Sequence, residues 1–204
     1  MGLYKAKDAG AAWRSAWGFV GILILIPTVL MLTGDAGMEL LRFDRGGIAR
    51  GELWRLVSGH VVHLGWSHFA LNAAGLVLVW YLVGTAYSAV RWLLIASVAV
   101  ATIGVCFWFL NPDLEWYVGL SGLLHALLVA GIFARLHDDL NAETVVLAVL
   151  VAAKLAWEQF YGPLPGSEVA SGGPVIVDAH LYGAVGGILG ALLDRIRVRA
   201  RASL

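Results

Sequence analysis

A serine and a histidine in apolar segments are the residues of this 204-residue chain best suited to do chemistry. Ser121 lies at the front of one apolar stretch, and His180 lies at the front of another. Polar side chains inside a lipid-embedded helix cost free energy and therefore usually serve a function. A serine beside a histidine is the minimal form of an activated nucleophile, because the imidazole can take the hydroxyl proton.

Glycines flank the serine on both sides. Gly119 and Gly122 let another backbone approach Ser121 closely. At a helix N-terminus the serine also lies beside free backbone N–H groups and the positive end of the helix dipole, which suit a developing oxyanion. The alternative interpretation is a Gly/Ser helix-packing motif without chemistry, which is common in membranes.

The histidine is followed by a row of small residues. Gly183 and Gly187 share a helical face with His180. This face predicts close packing against the helix of Ser121, where Ala126 follows on the next turns. Such packing would bring the imidazole within hydrogen-bonding reach of the hydroxyl. The alternative is a structural histidine whose ring nitrogens are satisfied by neighbours.

Two further polar residues are four positions apart on another apolar stretch. His68 and Asn72 both carry hydrogen-bond donors and share one helical face. They are candidates to stabilise an oxyanion together with the Ser121 backbone N–H. A metal site made of His60, His63 and His68 is the rival interpretation. The i, i+5 spacing of His63 and His68 is poor for one helical face and no acidic residue lies at helical spacing to complete a ligand set, so we expect neither a metal nor another cofactor.

Three supporting candidates lie in the same apolar segments. His125 follows Ser121 by one turn and either tunes the nucleophile or packs as a hydrogen-bonded histidine. Lys154 and Glu158 have the i, i+4 spacing of a helical ion pair. The pair either neutralises itself or forms a polar wall that faces the substrate or the catalytic water.

Composition places these residues in a membrane. The chain is 60% hydrophobic, and its 14 basic and 14 acidic residues give a formal net charge of zero, which indicates no nucleic-acid partner. We predict an all-α, polytopic membrane protein that forms one domain over 1–204. Its six predicted spans are about 16–33, 66–86, 90–110, 117–136, 143–161 and 176–194.

Basic residues predict the orientation of the spans. Two of the three connections predicted to be outside, 111–116 and 162–175, contain no basic residue, and the third, 34–65, is long and mixed in charge. Both termini are therefore expected in the cytoplasm. Spans two, four and six then run inward, which puts all the polar clusters within roughly 10 Å of the outer surface. The basic residues on the predicted cytoplasmic side are Lys5, Lys7, Arg14, Arg91, Arg135, Arg195, Arg197, Arg199 and Arg201.

Taken together, the motifs over about 51–190 resemble the rhomboid family of intramembrane serine proteases. The motifs are Trp54-Arg55, His68-x-x-x-Asn72, Gly119-x-Ser121-Gly122 and His180-x-x-Gly183-x-x-x-Gly187. The resemblance implies a six-helix bundle, with Ser121 as nucleophile, His180 as general base and acid, and His68 and Asn72 in the oxyanion hole. It assigns no acidic third member, so a dyad is expected, with Asp178 pointing elsewhere.

Several stretches resemble rhombosortases, a bacterial rhomboid branch: 51–55, 59–66, 116–122, 154–159, 162–168 and 173–183. Ala126 is a mild departure, since a glycine is expected there. The branch implies substrates in the lipid bilayer: exported proteins with a C-terminal tail of a Gly-Gly motif, one membrane helix and a basic cluster. It also implies a bacterial inner membrane, with the site opening to the periplasm. A general rhomboid protease and a non-catalytic rhomboid-like scaffold remain alternatives, whereas a transporter is disfavoured because no internal repeat is seen.

Two predicted outer loops could control access. The 162–175 loop is rich in glycine and proline, so it cannot be regular helix or strand throughout, and it is a candidate lid. Residues 48–62 are expected to form an amphipathic element at the membrane interface. Within it, Arg55 is expected to bond backbone carbonyls or lipid headgroups.

Overall fold

The computed structural model describes residues 5–138 and 140–202, with side chains for 17–138 and 140–201. The side chains of Lys5, Lys7 and Arg14, on which the predicted orientation partly depends, lie outside the described residues. The described residues form ten α-helices and two short strands. In chain order they are α1 (Lys5–Met31), α2 (Gly34–Leu41), β1 (Phe43–Asp44), α3 (Arg45–Ala49), α4 (Arg55–Ser58), α5 (Trp66–Val83), α6 (Ala89–Leu110), β2 (Trp116–Tyr117), α7 (Ser121–Asp138), α8 (Ala142–Tyr161), α9 (Ser167–Ser171) and α10 (Val177–Ala202).

Six of these helices are at least 18 residues long, and each coincides with one predicted span. Three segments of the described chain are long and apolar enough to cross a membrane: Trp66–Ala86, Ala89–Leu110 and Ala142–Tyr161. The prediction of an all-α polytopic membrane bundle is confirmed. That the other three long helices also span, and that the chain is one domain, stay predictions.

Three helix boundaries differ from the hydropathy estimate by four residues or more, and one of them is the start of α1, at Lys5 instead of about 16. The segment predicted to start at 117 becomes helical only at Ser121, because strand β2 pairs antiparallel with β1. Gly119 then has φ +118°, which no helix contains. At the other end of the chain, α10 continues to Ala202, beyond the apolar stretch, because arginine-rich sequence favours helix even where it no longer favours lipid.

Glycine rows on α10 set the packing of the bundle. A Cβ added at Gly183 would lie 2.0 Å from the Gly122 carbonyl oxygen, and one at Gly187 would lie 2.3 Å from that of Ala126. On the neighbouring face, a Cβ at Gly190 would lie 2.9 Å from the Ile95 Cα of α6. The predicted close packing of the His180 helix on the Ser121 helix is therefore confirmed. We name the end where α7 and α10 begin the site end, and the end where they finish the far end.

The far end is held by charged and aromatic side chains. Asp194 of α10 is buried and accepts two bonds of 2.9 Å from Arg91 Nε of α6, with a further bond from Arg91 Nη2. The Arg91 guanidinium also stacks over the Tyr87 ring. On α7, Arg135 donates to the Leu82 carbonyl oxygen at 2.7 Å. These contacts join α10 to α6 and α7 to α5 away from the candidate site.

At the site end, two arginines fix the long 34–65 connection. Arg45 donates to four backbone carbonyl groups at the end of α6 and just beyond it, those of Phe107, Trp108, Asn111 and Leu114. Arg55 is buried and donates to the Glu52 carboxylate at 2.5 Å and to backbone carbonyls at Glu39 and Arg42. Of the two partners expected for Arg55, the structure therefore shows backbone. Its neighbour Trp54 is half exposed.

Candidate active site

Ser121 is the first residue of α7, and the turn before it is fixed on both sides. The Gly119 N–H donates to the Gly59 carbonyl at 2.9 Å, and the Tyr117 hydroxyl donates to the Gly119 carbonyl at 2.6 Å. Helix α7 therefore begins abruptly, with the serine at its free N-terminal turn.

His180 lies in the first turn of α10 and is buried, with 5% of its surface exposed. Its Nε2 lies 3.0 Å from Ser121 Oγ, a hydrogen-bonding distance between groups 59 residues apart in sequence. The glycine contacts between α10 and α7 bring the two side chains together. The serine and the histidine that are predicted to exchange a proton are therefore adjacent.

The other imidazole nitrogen faces a carboxylate. His180 Nδ1 lies 2.9 Å from Glu158 Oε2 of α8. A carboxylate accepts and does not donate, so a hydrogen bond between these two atoms places the proton on Nδ1. In the neutral ring Nε2 is then unprotonated and faces the serine hydroxyl, which is the tautomer that a general base needs.

The predicted i, i+4 ion pair is present beside this contact. Lys154 Nζ lies 2.6 Å from Glu158 Oε2 and 3.2 Å from His180 Nδ1. Sequence reasoning treated the pair as self-neutralising or as a polar wall and missed its contact with the histidine. The available signal was a carboxylate on an otherwise apolar stretch at a depth similar to that of His180.

His125 packs on the imidazole of His180. Their ring centroids are 4.2 Å apart with 23° between the planes, a stacked arrangement. His125 Nδ1 donates to the Ser121 carbonyl at 2.7 Å, one turn back along α7. His125 is thus a packed, hydrogen-bonded residue that limits rotation of the His180 ring.

The two predicted oxyanion residues lie on α5 beside the turn before Ser121. A Cβ added at Gly119 would lie 2.8 Å from His68 Nε2 and 3.8 Å from Asn72 Nδ2. The Leu64 N–H donates to His68 Nδ1 at 3.4 Å, which leaves the ring proton on Nε2, facing that turn. Asn72 is buried and uses one amide hydrogen on the His68 carbonyl, so a second remains. Both donors therefore lie near the backbone that precedes the serine.

One group of described side chains has the spacing of metal ligands. The ligand atoms of His125, Glu158 and His180 lie within 4.8 Å of one another. However, the Lys154 ammonium contacts both Glu158 and His180, and its positive charge would repel a divalent cation. The donor set therefore fits an ion pair better than a metal. In the cluster weighed from sequence, the His63 and His68 rings are in edge contact, with centroids 5.1 Å apart.

Comparison with known families identifies the fold that carries this site. The family model described as a Rhomboid domain matches residues 50–197, which is most of the chain. The chain belongs to the rhomboid family. Rhomboid proteins are generally intramembrane serine proteases that act on membrane proteins within the bilayer, although rhomboid-like members can be inactive. No curated protein matches the chain significantly.

A hydrogen-bonded group that sequence reasoning missed fixes the start of α10 in this rhomboid domain. Asp178 accepts from Asn111 Nδ2 at 2.6 Å, and the Tyr182 hydroxyl donates to Asn111 Oδ1 at 2.6 Å. The expectation that Asp178 points elsewhere is confirmed, and its contact joins α10 to the end of α6. Nothing in the spacing of these three residues indicated that they meet.

The 162–175 loop of the rhomboid domain packs beside α5. It contains the five-residue helix α9, bounded by Gly166 and Gly172 in left-handed conformations, so it is irregular outside that turn, as predicted. Ser67 Oγ donates to the Ser171 carbonyl at 3.4 Å. A cavity of about 250 Å³ lies between this loop and the segment before Ser121, lined in part by Leu64, Val118 and Pro174.

Two buried histidines lie in the connection that leads to α5. Burial lowers the pKa of His60 to about 4 and that of His63 to about 3. Neither His63 ring nitrogen has a hydrogen-bond partner. These rings are therefore neutral at physiological pH and belong to the packing of the 34–65 connection.

Proposed function

We propose that this chain is an intramembrane serine endopeptidase in which Ser121 and His180 carry out peptide hydrolysis. The observation that carries the proposal is the 3.0 Å contact between Ser121 Oγ and His180 Nε2, inside a rhomboid domain. Membership of a family of proteases makes hydrolysis the expected chemistry. The glycine contacts of Gly183 and Gly187 keep the two helices close enough for that contact.

Ser121 Oγ attacks the carbonyl carbon of the scissile bond while its proton passes to His180 Nε2. The C–N bond then breaks, and Nε2 returns the proton to the leaving amine, which leaves an ester on Ser121. Water attacks that ester, gives a proton to Nε2 and releases the new carboxyl end, with the proton returning to Oγ. No cofactor is needed for either half of the reaction.

His68, Asn72 and the Ser121 N–H are the proposed oxyanion hole. The Nε2–H of His68 and the second amide hydrogen of Asn72 are donors beside the Gly119 turn. An N-terminal helix position adds the Ser121 N–H and the positive end of the α7 dipole. Donors held in advance where negative charge develops lower the barrier without reorganisation.

The proposed substrates are exported proteins with a C-terminal Gly-Gly motif, one membrane helix and a basic cluster. The resemblance of six stretches to rhombosortases supports this choice over a general rhomboid specificity. Glycines also unwind a substrate helix at low cost, which exposes extended backbone to a nucleophile. The cavity of about 250 Å³ beside the 116–118 segment offers room for such a strand.

The proposed location is a bacterial inner membrane, with six spans and both termini in the cytoplasm. Arg195, Arg197, Arg199 and Arg201 lie on the part of α10 beyond its apolar stretch, at the far end, and support this orientation. The site end then opens to the periplasm, where an exported substrate arrives. The 162–175 loop is the proposed lid, because it packs at the site end beside α5.

Co-expression of a reporter that carries the tripartite tail tests the function. Wild type should release the reporter, whereas Ser121→Ala and His180→Ala should not. If wild type labels at Ser121 with a fluorophosphonate but leaves the reporter intact, the chain is a rhomboid protease for other substrates. If Ser121 is not labelled at all, the scaffold interpretation replaces the proposal. Leucine in place of the reporter's Gly-Gly pair should abolish release, and undiminished release would contradict the glycine requirement.

A further inference from the structure

We propose that Glu158 is a positioning residue for His180, so that the site is a serine–histidine–glutamate array and not a dyad. The inference rests on the proposed function and adds to it the group that orients the base. The residues of the proposed function lie on α5, α7 and α10, and the inference adds a residue of α8 to them.

The imidazole ring of His180 lies between the Glu158 carboxylate and the Ser121 hydroxyl. Glu158 Oε2 lies 2.9 Å from His180 Nδ1, and Ser121 Oγ lies 3.0 Å from Nε2 of the same ring. The carboxylate and the hydroxyl therefore contact opposite nitrogens of the ring. A carboxylate in this position holds the imidazole in the tautomer that accepts the serine proton and stabilises the imidazolium formed during reaction.

The orientation of α8 supports a specific role for Glu158. Its side chain is 3% exposed, whereas Phe160 and Tyr161 on the same helix are 81% and 74% exposed. The helix therefore directs a carboxylate into the bundle while it presents aromatic rings outward. Because a buried charge in a membrane segment is costly, its placement against His180 indicates more than packing.

Lys154 gives the carboxylate a counter-charge and also offers His180 a second partner. If Lys154 Nζ donated to His180 Nδ1, the ring proton would lie on Nε2 and the serine proton could not be accepted. If Nδ1–H donates to Glu158, Oε2 accepts from both His180 and Lys154 and Nε2 is free. The second arrangement satisfies both donors with one anion, so it is the one we assign.

A pair of double variants separates positioning from simple neutralisation of Lys154. Lys154→Met/Glu158→Met removes both charges and the acceptor, whereas Lys154→Met/Glu158→Gln removes both charges but retains an amide oxygen as acceptor. Neither leaves an uncompensated buried charge, so both should unfold at temperatures near that of wild type. If Glu158 only neutralises Lys154, both should react like wild type.

The readouts are the rate of Ser121 labelling by a fluorophosphonate and the ¹⁵N shifts of His180. We expect the Met/Met variant to label at least about 100-fold more slowly than wild type, with Met/Gln intermediate. We also expect the wild-type His180 proton on Nδ1 and its loss from Nδ1 in Met/Met. A His180→Gln spectrum assigns the signal among the six histidines.

Two results would overturn the inference. One is wild-type labelling speed in a folded Met/Met variant, which leaves the proposed function intact. The other is a wild-type His180 with its proton on Nε2, which needs no variant to fold. If wild-type Ser121 does not label, the proposed function fails, and the inference that rests on it fails with it.

Discussion

A buried carboxylate contacts a basic side chain near each end of α10, Asp194 of α10 itself at the far end and Glu158 of α8 at the site end, but the two carboxylates have different partners. At the far end, Arg91 donates to both oxygens of Asp194. At the site end, Glu158 Oε2 is shared between Lys154 and His180. Arg91 binds Asp194, whereas both Lys154 and His180 bind Glu158, and His180 lies next to Ser121, the proposed nucleophile.

From this difference we infer that the Asp194 pair stabilises the fold, whereas Glu158 acts on the proposed catalytic histidine. Asp194 and Glu158 are equally buried, at 3% exposure, so burial alone does not distinguish them. What distinguishes them is the third contact: the Arg91 guanidinium satisfies Asp194 in a forked geometry, and the point charge of Lys154 leaves Glu158 free to accept from His180. The far end should therefore govern stability, and the site end should govern reactivity.

The largest expected effect comes from adding a methyl group at each end of α10. Gly183→Ala puts a Cβ 2.0 Å from the Gly122 carbonyl, so α10 must move away from α7. We expect a loss of stability of about 3 kcal/mol and loss of labelling of about 100-fold or more, since a displacement of about 1 Å is enough to misplace a base. Thermal unfolding in detergent and fluorophosphonate labelling measure the two.

Gly190→Ala is the matched change toward the far end, and Gly21→Ala is the control. The first places a Cβ 2.9 Å from Ile95 Cα and should destabilise the bundle while labelling per folded molecule persists. The second meets nothing within 4 Å and should change neither quantity. Equal loss of labelling in Gly183→Ala and Gly190→Ala would remove the distinction between the two ends.

A smaller effect is expected from opening the far-end ion pair. Asp194→Asn leaves Arg91 without its anion, and we expect a loss of about 2 kcal/mol, reduced because the Arg91 side chain is 39% exposed and retains water. The fluorophosphonate rate of the folded fraction should equal that of wild type. A slower rate in fully folded Asp194→Asn would show that the far end also controls chemistry.

The smallest effect is a pH dependence confined to the site end. His60 and His63 have folded-state pKa values of about 4 and about 3, below their ordinary value. Below pH 6.5 the unfolded connection binds more protons than the folded one, so its stability falls as pH falls from about 6.5 towards 4. The rate of hydrogen exchange in residues 43–65, corrected for intrinsic rates, should therefore increase as the pH is lowered from 7 to 5.

Residues at the far end of α7 should show no such change, and His63→Phe should reduce it in the connection. Phenylalanine retains a ring for the edge contact with Phe69 but has no proton to bind. An unchanged pH response in His63→Phe would show that His63 does not cause the effect.

Helix packing could be predicted from sequence where small residues mark one face of a helix. Hydropathy gave the depth of Ser121 and His180, and the spacing of Gly183 and Gly187 gave the face on which their helices meet. The resulting packing was therefore predictable. The roles of these residues as catalytic groups stay predictions until the labelling experiments are done.

Contacts between helices without such a face were not predictable. Glu158 and His180 are 22 residues apart, and their contact depends on the rotation of α8 about its axis. Lys154 and Glu158 indicate which face of that otherwise apolar helix points into the bundle, but not which residue of another helix the carboxylate contacts. The same applies to the Asn111–Asp178 bond, which joins the end of α6 to the start of α10.

The distance along the chain between Ser121 and His180 has a consequence for biosynthesis. The ribosome adds Ser121, the proposed nucleophile, 59 residues before His180, the proposed base. A nascent or truncated chain that ends before α10 therefore has no base beside the serine, whatever its insertion state. With Ser121 and His180 as the proposed catalytic pair, hydrolysis can begin only after α10 has docked on α7, so a partly translated chain is not yet a protease.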